Sequence, residues 1–169
     1  MWQTLVVVKD WFTGDDVRKR RALIRSEPFP DSWREILMED VEFYRHLDGE
    51  PLQRFEERLK VFVSEKHFEG AGGMEIDERI RLVIAAAASR LVLYLDDSYY
   101  DRLRDIVVYP DAVVLPPDGS GTQDGSMLAA GVAFDGTTVI LSWKATLQGL
   151  RNATDGRDTA THEFAHILD

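Results

Sequence analysis

The chain has 169 residues, carries a formal net charge of −10 and contains no cysteine. This length suits one domain of ordinary size, and the missing cysteines exclude disulfides, a thiol nucleophile and thiolate metal ligands. Because an acidic chain is repelled by phosphate backbones and anionic lipid, we expect no direct nucleic-acid partner and no membrane partner. No apolar run approaches the ~20 residues of a membrane span and no secretory signal is found, so we expect a cytoplasmic location.

The first half of the chain has the periodicity of helices. Residues 1–27 are predicted to form an N-terminal appendage, which Pro28-Phe29-Pro30 separates from the rest. Helices are then predicted at about residues 31–46, 49–63 and 77–95. The last of these is apolar on nearly every side from Ile84 to Ala88, which is typical of a helix at the centre of a fold.

The second half changes to the pattern of short strands. Strands are predicted at residues 105–109, 131–134 and 138–141, with a further short one at 74–76. Asp135-Gly136-Thr137 predicts a hairpin, and the Gly-, Pro- and Ser-rich residues 116–126 predict a loop. A short helix at 143–149 and a final helix capped by Asp158 complete the chain. We therefore expect an α+β fold, in which N-terminal helices pack with a small mixed sheet.

The final helix carries the sequence His162-Glu163-Phe164-Ala165-His166. Residues four apart lie on the same face of a helix, so both imidazoles can direct a nitrogen at one point. Zn²⁺ binds such nitrogens at about 2.0–2.1 Å. Glu163 lies about 100° around the helix from His162, beside the metal, where its carboxylate can take a proton from an attacking water. The pattern therefore predicts a zinc peptidase site, although a surface histidine pair without metal is the alternative.

Asp169 extends the same helix face beyond His166. We predict that its carboxylate accepts a hydrogen bond from a ligand imidazole and fixes the tautomer of that ring. An ordinary carboxylate on the helix surface is the alternative.

The third metal ligand is missing from this pattern. A catalytic zinc site needs three protein ligands, and the chain ends three residues after His166. His46 and His67 lie far upstream, and we expect each to be a helix-surface residue or to make local hydrogen bonds. We therefore expect the third ligand downstream of residue 169, in a domain that is incomplete at its C-terminus.

We assign substrate binding to the strand at 138–142, through Val139, Ile140 and Leu141. An edge strand beside the motif helix can pair with the main chain of an extended peptide. Because the apolar residues of this segment alternate poorly with polar ones, a buried core strand is the alternative.

A more specific pattern is spread along the chain from about residue 28. It includes Pro28-Phe29-Pro30, Gly73-Met74-Glu75-Ile76, Val108-Tyr109-Pro110, Val139-Ile140-Leu141-Ser142-Trp143 and Asp155-Gly156-Arg157, followed by the motif up to Asp169. In this order, the segments resemble the Mlc titration factor A family, bacterial zinc-dependent peptidases of the gluzincin type. The resemblance implies a zincin-like domain over residues 28–169, with the active-site helix at its C-terminal end.

The resemblance also implies an activity and a partner. It implies a cytoplasmic, aminopeptidase-like enzyme with one Zn²⁺ per full-length chain, which binds peptide substrates and the glucose-responsive repressor Mlc. His162 and His166 match the family's zinc histidines, and Glu163 matches its catalytic acid/base. The family's third ligand is a downstream glutamate, and no residue of this chain corresponds to it.

Two hypotheses about function follow. The first is a zinc-dependent peptidase, whose activity in this chain alone depends on the missing ligand. The alternative is a regulatory protein that binds a transcriptional repressor of the glucose-uptake system, with hydrolysis as a secondary property.

Overall fold

Within the described residues, helices dominate 14–91 and most strands follow them, as the apolar periodicity predicts. The structure is a computed structural model that describes residues 14–115, 127–129, 131–134, 136–152 and 158–168. Its α-helices are α1 Gly14–Ser26, α2 Asp31–Asp40, α3 Gly49–Glu65, α4 Glu78–Leu91, α5 Trp143–Arg151 and α6 Thr159–Leu168. Its strands are β1 His67–Gly70, β2 Asp105–Tyr109, β3 Val113–Leu115, β4 Met127–Ala129, β5 Gly131–Phe134 and β6 Thr138–Ser142. Single 3-10 turns cover Glu42–His46 and Asp97–Tyr100.

The strands form one mixed sheet and one small ribbon. The sheet has the order β1-β2-β6-β5, in which β1, β2 and β6 run parallel and β5 runs antiparallel to β6. β3 and β4 pair separately as an antiparallel ribbon. The described architecture is therefore α+β, and the predicted pairing of residues 131–134 with 138–141 is confirmed. The predicted loop at 116–126 lies outside the described residues.

Helix α4 forms the centre of the fold. Ala85, Ala86, Ala87 and Ala88 are fully buried, and α4 packs against α2, α3, α5 and α6. Because the alanine side chains are single methyl groups, several helices can pack closely against α4. This packing agrees with the prediction that α4 is apolar on nearly every side. Asp77 caps this helix by accepting a hydrogen bond from the amide of Ile80 at 2.8 Å.

Two predicted elements have different boundaries in the structure. The helix predicted at 31–46 ends at Asp40, because Val41 is extended (φ −121°, ψ 98°) and fully buried. The strand predicted at 74–76 is absent from these described residues, and β1 is formed by His67–Gly70 instead. A tight turn, with Gly72 at φ 62° and Gly73 at φ 82°, carries the chain away from the sheet after β1.

Helix α1 packs against α3 through polar groups. Arg21 is the buried residue of α1, and it donates to both carboxylate oxygens of Glu65 at 2.9 and 2.8 Å. The ammonium group of Lys60 donates to the carbonyl oxygens of Arg25 and Glu27. The domain boundary at residue 27 stays a prediction. Nowhere in the described part of the chain is a helix both long and apolar enough to span a membrane.

Candidate metal centre

Helix α6 begins at a well-formed N-cap. The Asp158 carboxylate accepts hydrogen bonds from the amide of Thr161 at 3.0 Å and from its hydroxyl at 2.5 Å. Its backbone carbonyl accepts from the amide of His162 at 3.1 Å. A guanidinium nitrogen of Arg90 lies 3.8 Å from the same carboxylate. The Cζ atom of Arg90 also lies 4.8 Å from the ring centre of Phe43. The predicted cap is therefore confirmed, and it fixes the turn that carries His162.

The buried face of α6 is seated by aromatic packing. Phe164 is fully buried, and its ring centre lies 5.7 Å from that of Phe62 and 6.0 Å from that of Tyr100. Phe62 and Tyr100 are themselves 5.3 Å apart, and all three pairs meet edge to face. This aromatic triangle lies behind the helix and leaves His162 and His166 on the opposite, exposed face.

The two histidines bring their outer ring nitrogens together. Nε2 of His162 lies 3.1 Å from Nε2 of His166, and the ring centres are 4.5 Å apart. Two nitrogen ligands of a tetrahedral Zn²⁺ are separated by about 3.3 Å if each lies 2.0–2.1 Å from the metal. The two Nε2 atoms are therefore suited, in their chemistry and their separation, to serve as two of the four ligands of a zinc ion. Glu163, partly buried, follows His162 directly on the same helix.

A third ligand is not brought to this face by the described residues. No group of three or more His, Asp or Glu side chains able to hold a metal occurs among them. His46 is exposed, and His67 is exposed and pairs locally with Asp105 at 3.2 Å. Asp169, predicted to hydrogen-bond a ligand imidazole, lies outside the described residues, so its role stays a prediction.

Comparison with known proteins identifies the family. Residues 15–169 match the family described as glucose-regulated metallo-peptidase M90. The chain belongs to this family. The match confirms the resemblance to the Mlc titration factor A family and supports metal-dependent hydrolase chemistry at the level of the family.

The chain also has an uncharacterised relative in Synechocystis sp. The two are 34% identical over 155 residues, which is 89% of this chain and 56% of the relative. The chain thus spans little more than half the length of the curated relative that it matches. No solved structure matches the chain.

The strand expected to bind substrate is not at an edge of the sheet. β6 is hydrogen-bonded to β2 on one side and to β5 on the other, and Val139 and Leu141 are fully buried. Its main chain is therefore used within the sheet, and the edge-strand expectation for Val139, Ile140 and Leu141 is wrong. The outer edge of β5 pairs with no other described strand, and α6 lies against β5.

Sequence reasoning missed a buried charge cluster near the motif helix. Asp40, fully buried at the end of α2, accepts from Arg79 of α4 at 2.5 and 2.7 Å and from Arg151 of α5 at 2.9 and 2.6 Å. Burial raises the pKa of Asp40, but the hydrogen bonds from the two arginines outweigh it and hold that pKa below its ordinary value. No local signal distinguishes Asp40 from its exposed neighbour Glu39. The cluster anchors the end of α5, seven residues before Asp158.

Proposed function

We propose that this family member is a zinc-dependent peptidase and that His162 and His166 hold the metal. The observation that carries the proposal is the 3.1 Å approach of the two Nε2 atoms on the exposed face of α6. In helices, histidines four residues apart are neighbours, but here both outer nitrogens also converge on one point. Membership of a metallopeptidase family supports the same interpretation.

The residues of α6 divide the chemistry between them. When bound, zinc supplies Lewis-acid polarisation of the scissile carbonyl and acidifies a water molecule. Glu163 is the general base that takes the proton of the attacking water and passes it to the leaving amine nitrogen. Phe164 lies on the opposite face of the helix, where its buried side chain packs in the core. The exposed face of α6 therefore carries the proposed metal site, and the buried face stabilises the helix.

The substrate of this enzyme would be a peptide bound in extended form. β5 is antiparallel to its neighbour, lies against α6 and has an outer edge that no other described strand occupies. A peptide added there would pair main chain to main chain with residues 131–134, in the strand that α6 contacts. We assign peptide binding to this edge in place of β6, and we propose aminopeptidase-like cleavage in the cytoplasm for the full-length protein.

The test separates metal binding from chemistry in the full-length protein. Glu163→Gln keeps the size of the side chain but removes the base, so we expect unchanged zinc content and a kcat lower by roughly 10²–10⁴-fold. His162→Ala and His166→Ala should each lose stoichiometric zinc, measured by elemental analysis. Glu35→Gln, an exposed residue of α2, is the matched control and should leave both quantities unchanged. Full activity of Glu163→Gln on peptide substrates would refute its role as base.

A second candidate function is regulation through a repressor of the Mlc type. The family description links these peptidases to glucose, which is the observation that favours it. If the protein acts by binding, wild-type and Glu163→Gln proteins should capture purified repressor equally. Failure of both to bind would leave the peptidase proposal standing alone.

A further inference from the structure

Tyr100 lies behind α6 and joins it to two other helices. It is 5% exposed and is the last residue of the 3-10 turn Asp97–Tyr100. Its ring centre lies 6.0 Å from that of Phe164 in α6 and 5.3 Å from that of Phe62 in α3. Its hydroxyl donates a hydrogen bond to the carbonyl oxygen of Ala88 in α4 at 3.1 Å. One buried side chain therefore connects α6 to both α3 and α4.

The main chain around Tyr100 is held by other elements as well. The ammonium group of Lys66, directly after α3, donates to the carbonyl oxygens of Tyr100 at 2.6 Å and Leu103 at 2.8 Å. The Asp101 carboxylate accepts from Arg21 of α1 at 2.5 Å. A side chain keeps one geometry when packing and hydrogen bonds hold both its ring and its backbone. The position of the Tyr100 ring is therefore fixed by contacts outside α6.

The seat of α6 decides where its two histidines face. Phe164 is two residues from both His162 and His166, about 200° around the helix from each, so it lies opposite the histidine pair. The 3.1 Å separation of the two Nε2 atoms is set within the helix. The direction in which the pair faces the rest of the protein is set instead by how the helix is seated, and Phe62 and Tyr100 form that seat.

Tyr100 is suited to hold this seat and not to take part in the chemistry. Its side chain is buried on the side of α6 away from the exposed histidines. Burial raises the pKa of Tyr100, so its hydroxyl stays protonated and keeps its bond to Ala88 at neutral pH. Without that bond, the ring keeps its apolar contacts but loses its tether to α4. The hydroxyl is therefore the part of the side chain that ties the position of Phe164 to the central helix.

We propose that Tyr100 is a positioning residue, which orients α6 and so directs His162 and His166 toward the metal. The part of this inference that concerns the metal rests on the proposed zinc site. The part that concerns the mobility of α6 does not, because it follows from the contacts of Tyr100 with Phe164 and Ala88.

Tyr100→Phe tests the proposal because it removes the hydroxyl and keeps the ring. In the full-length protein, we expect the Kd for zinc, measured by competition with a chelator, to rise by about 2- to 30-fold. Amides of α6 should exchange faster than in the wild-type protein when both are metal-free. Tyr44→Phe is the matched control, because Tyr44 is also buried and its hydroxyl donates to Glu56 at 2.8 Å. It should lower the urea midpoint but leave the zinc Kd and the exchange of α6 unchanged.

This control separates positioning from general stability. If Tyr100→Phe lowers the urea midpoint as Tyr44→Phe does but binds zinc with the wild-type Kd, Tyr100 only stabilises the fold and the proposal is wrong. If the wild-type protein binds no zinc, the proposed function fails, and the exchange of α6 then decides for Tyr100. Faster exchange than in Tyr44→Phe would support the role of Tyr100 in seating α6, and equal exchange would overturn it.

Discussion

Single residues hold the helices of this fold together through charge as well as through apolar contact. Asp40 is the clearest case, because one fully buried carboxylate joins α2 to α4 and α5. Arg79 and Arg151 remain 37% and 45% exposed, so they bring their charges to Asp40 without losing all contact with water. A cluster of this kind is sensitive to the loss of its central member, since Arg79 and Arg151 would then lose the buried carboxylate that joins them.

Replacing Asp40 should therefore destabilise the protein. We expect Asp40→Ala to lower the free energy of unfolding by about 2–4 kcal/mol, toward the lower end for buried ion pairs because both arginines reach solvent. Urea denaturation at pH 7 measures this value. Since the pKa of Asp40 is held below its ordinary value, the stabilisation should persist above pH 4 and fade as the pH falls through the folded-state pKa.

The matched control for this prediction is an exposed ion pair. Asp111 and Lys144 lie 2.8 Å apart, with side chains 64% and 70% exposed. Asp111→Ala should shift the midpoint of urea unfolding much less than Asp40→Ala does, because water weakens an exposed ion pair. Equal losses for the two variants would show that burial of Asp40 adds nothing to its contribution.

The sequence was least informative about which charged residues are buried. Asp40 and Glu39 are adjacent acidic residues, and only the packing of three helices makes one buried and the other exposed. The helix predicted at 31–46 ends before Val41, whose backbone is extended and whose side chain is fully buried, and local propensity does not signal this change. By contrast, His162, Glu163 and His166 needed only helical spacing, so their shared helix could be predicted directly.

At the scale of elements, the N-cap of α6 could be predicted from the sequence, whereas the order of the strands in the sheet could not. Its cap at Asp158 and its apolar positions are local features, and both are confirmed. The neighbours of each strand are not local, so β6 was expected at an edge and is found between β2 and β5. Order within a sheet depends on packing among distant segments, whereas strand formation depends mainly on the segment itself.

The seating of α6 can be tested through Phe164. We expect Phe164→Ala to lower the free energy of unfolding by about 3–5 kcal/mol, because a fully buried ring that contacts Phe62 and Tyr100 leaves a cavity. Thermal and urea denaturation measure the loss. Leu23→Ala, at a side chain 69% exposed on α1, should change stability by less than about 0.5 kcal/mol. A small effect at Phe164 would mean that α6 is not anchored by the aromatic triangle.

On the scale of the whole molecule, stability is expected to be uneven. α4 is buried on nearly every side, whereas α1 is attached through Arg21, Glu65 and Lys60 and buries little apolar surface. Regions held by few apolar contacts open locally at lower free energy than the core. The N-terminal helix is therefore the part of the described fold that we expect to open first.

Hydrogen exchange should reveal this gradient directly. Amides of α1 are expected to exchange at least about tenfold faster than those of α4. Glu65→Gln weakens the contact with Arg21, so it should accelerate exchange in α1 and leave α4 unchanged. Glu50→Gln, which alters an exposed pair with Arg54, is the control. Equal protection of α1 and α4 would contradict the expected gradient.

The parallel arrangement of β1, β2 and β6 has a consequence for how the chain is made. β1 pairs with β2 through residues that are 38 positions apart in the sequence. The other side of β2 pairs with β6, which is synthesised later. During synthesis at about 5–20 residues per second, that side of β2 stays open for seconds after the strand leaves the ribosome. Such an edge can recruit another nascent chain, so the time before β6 emerges is when this protein is most prone to aggregate.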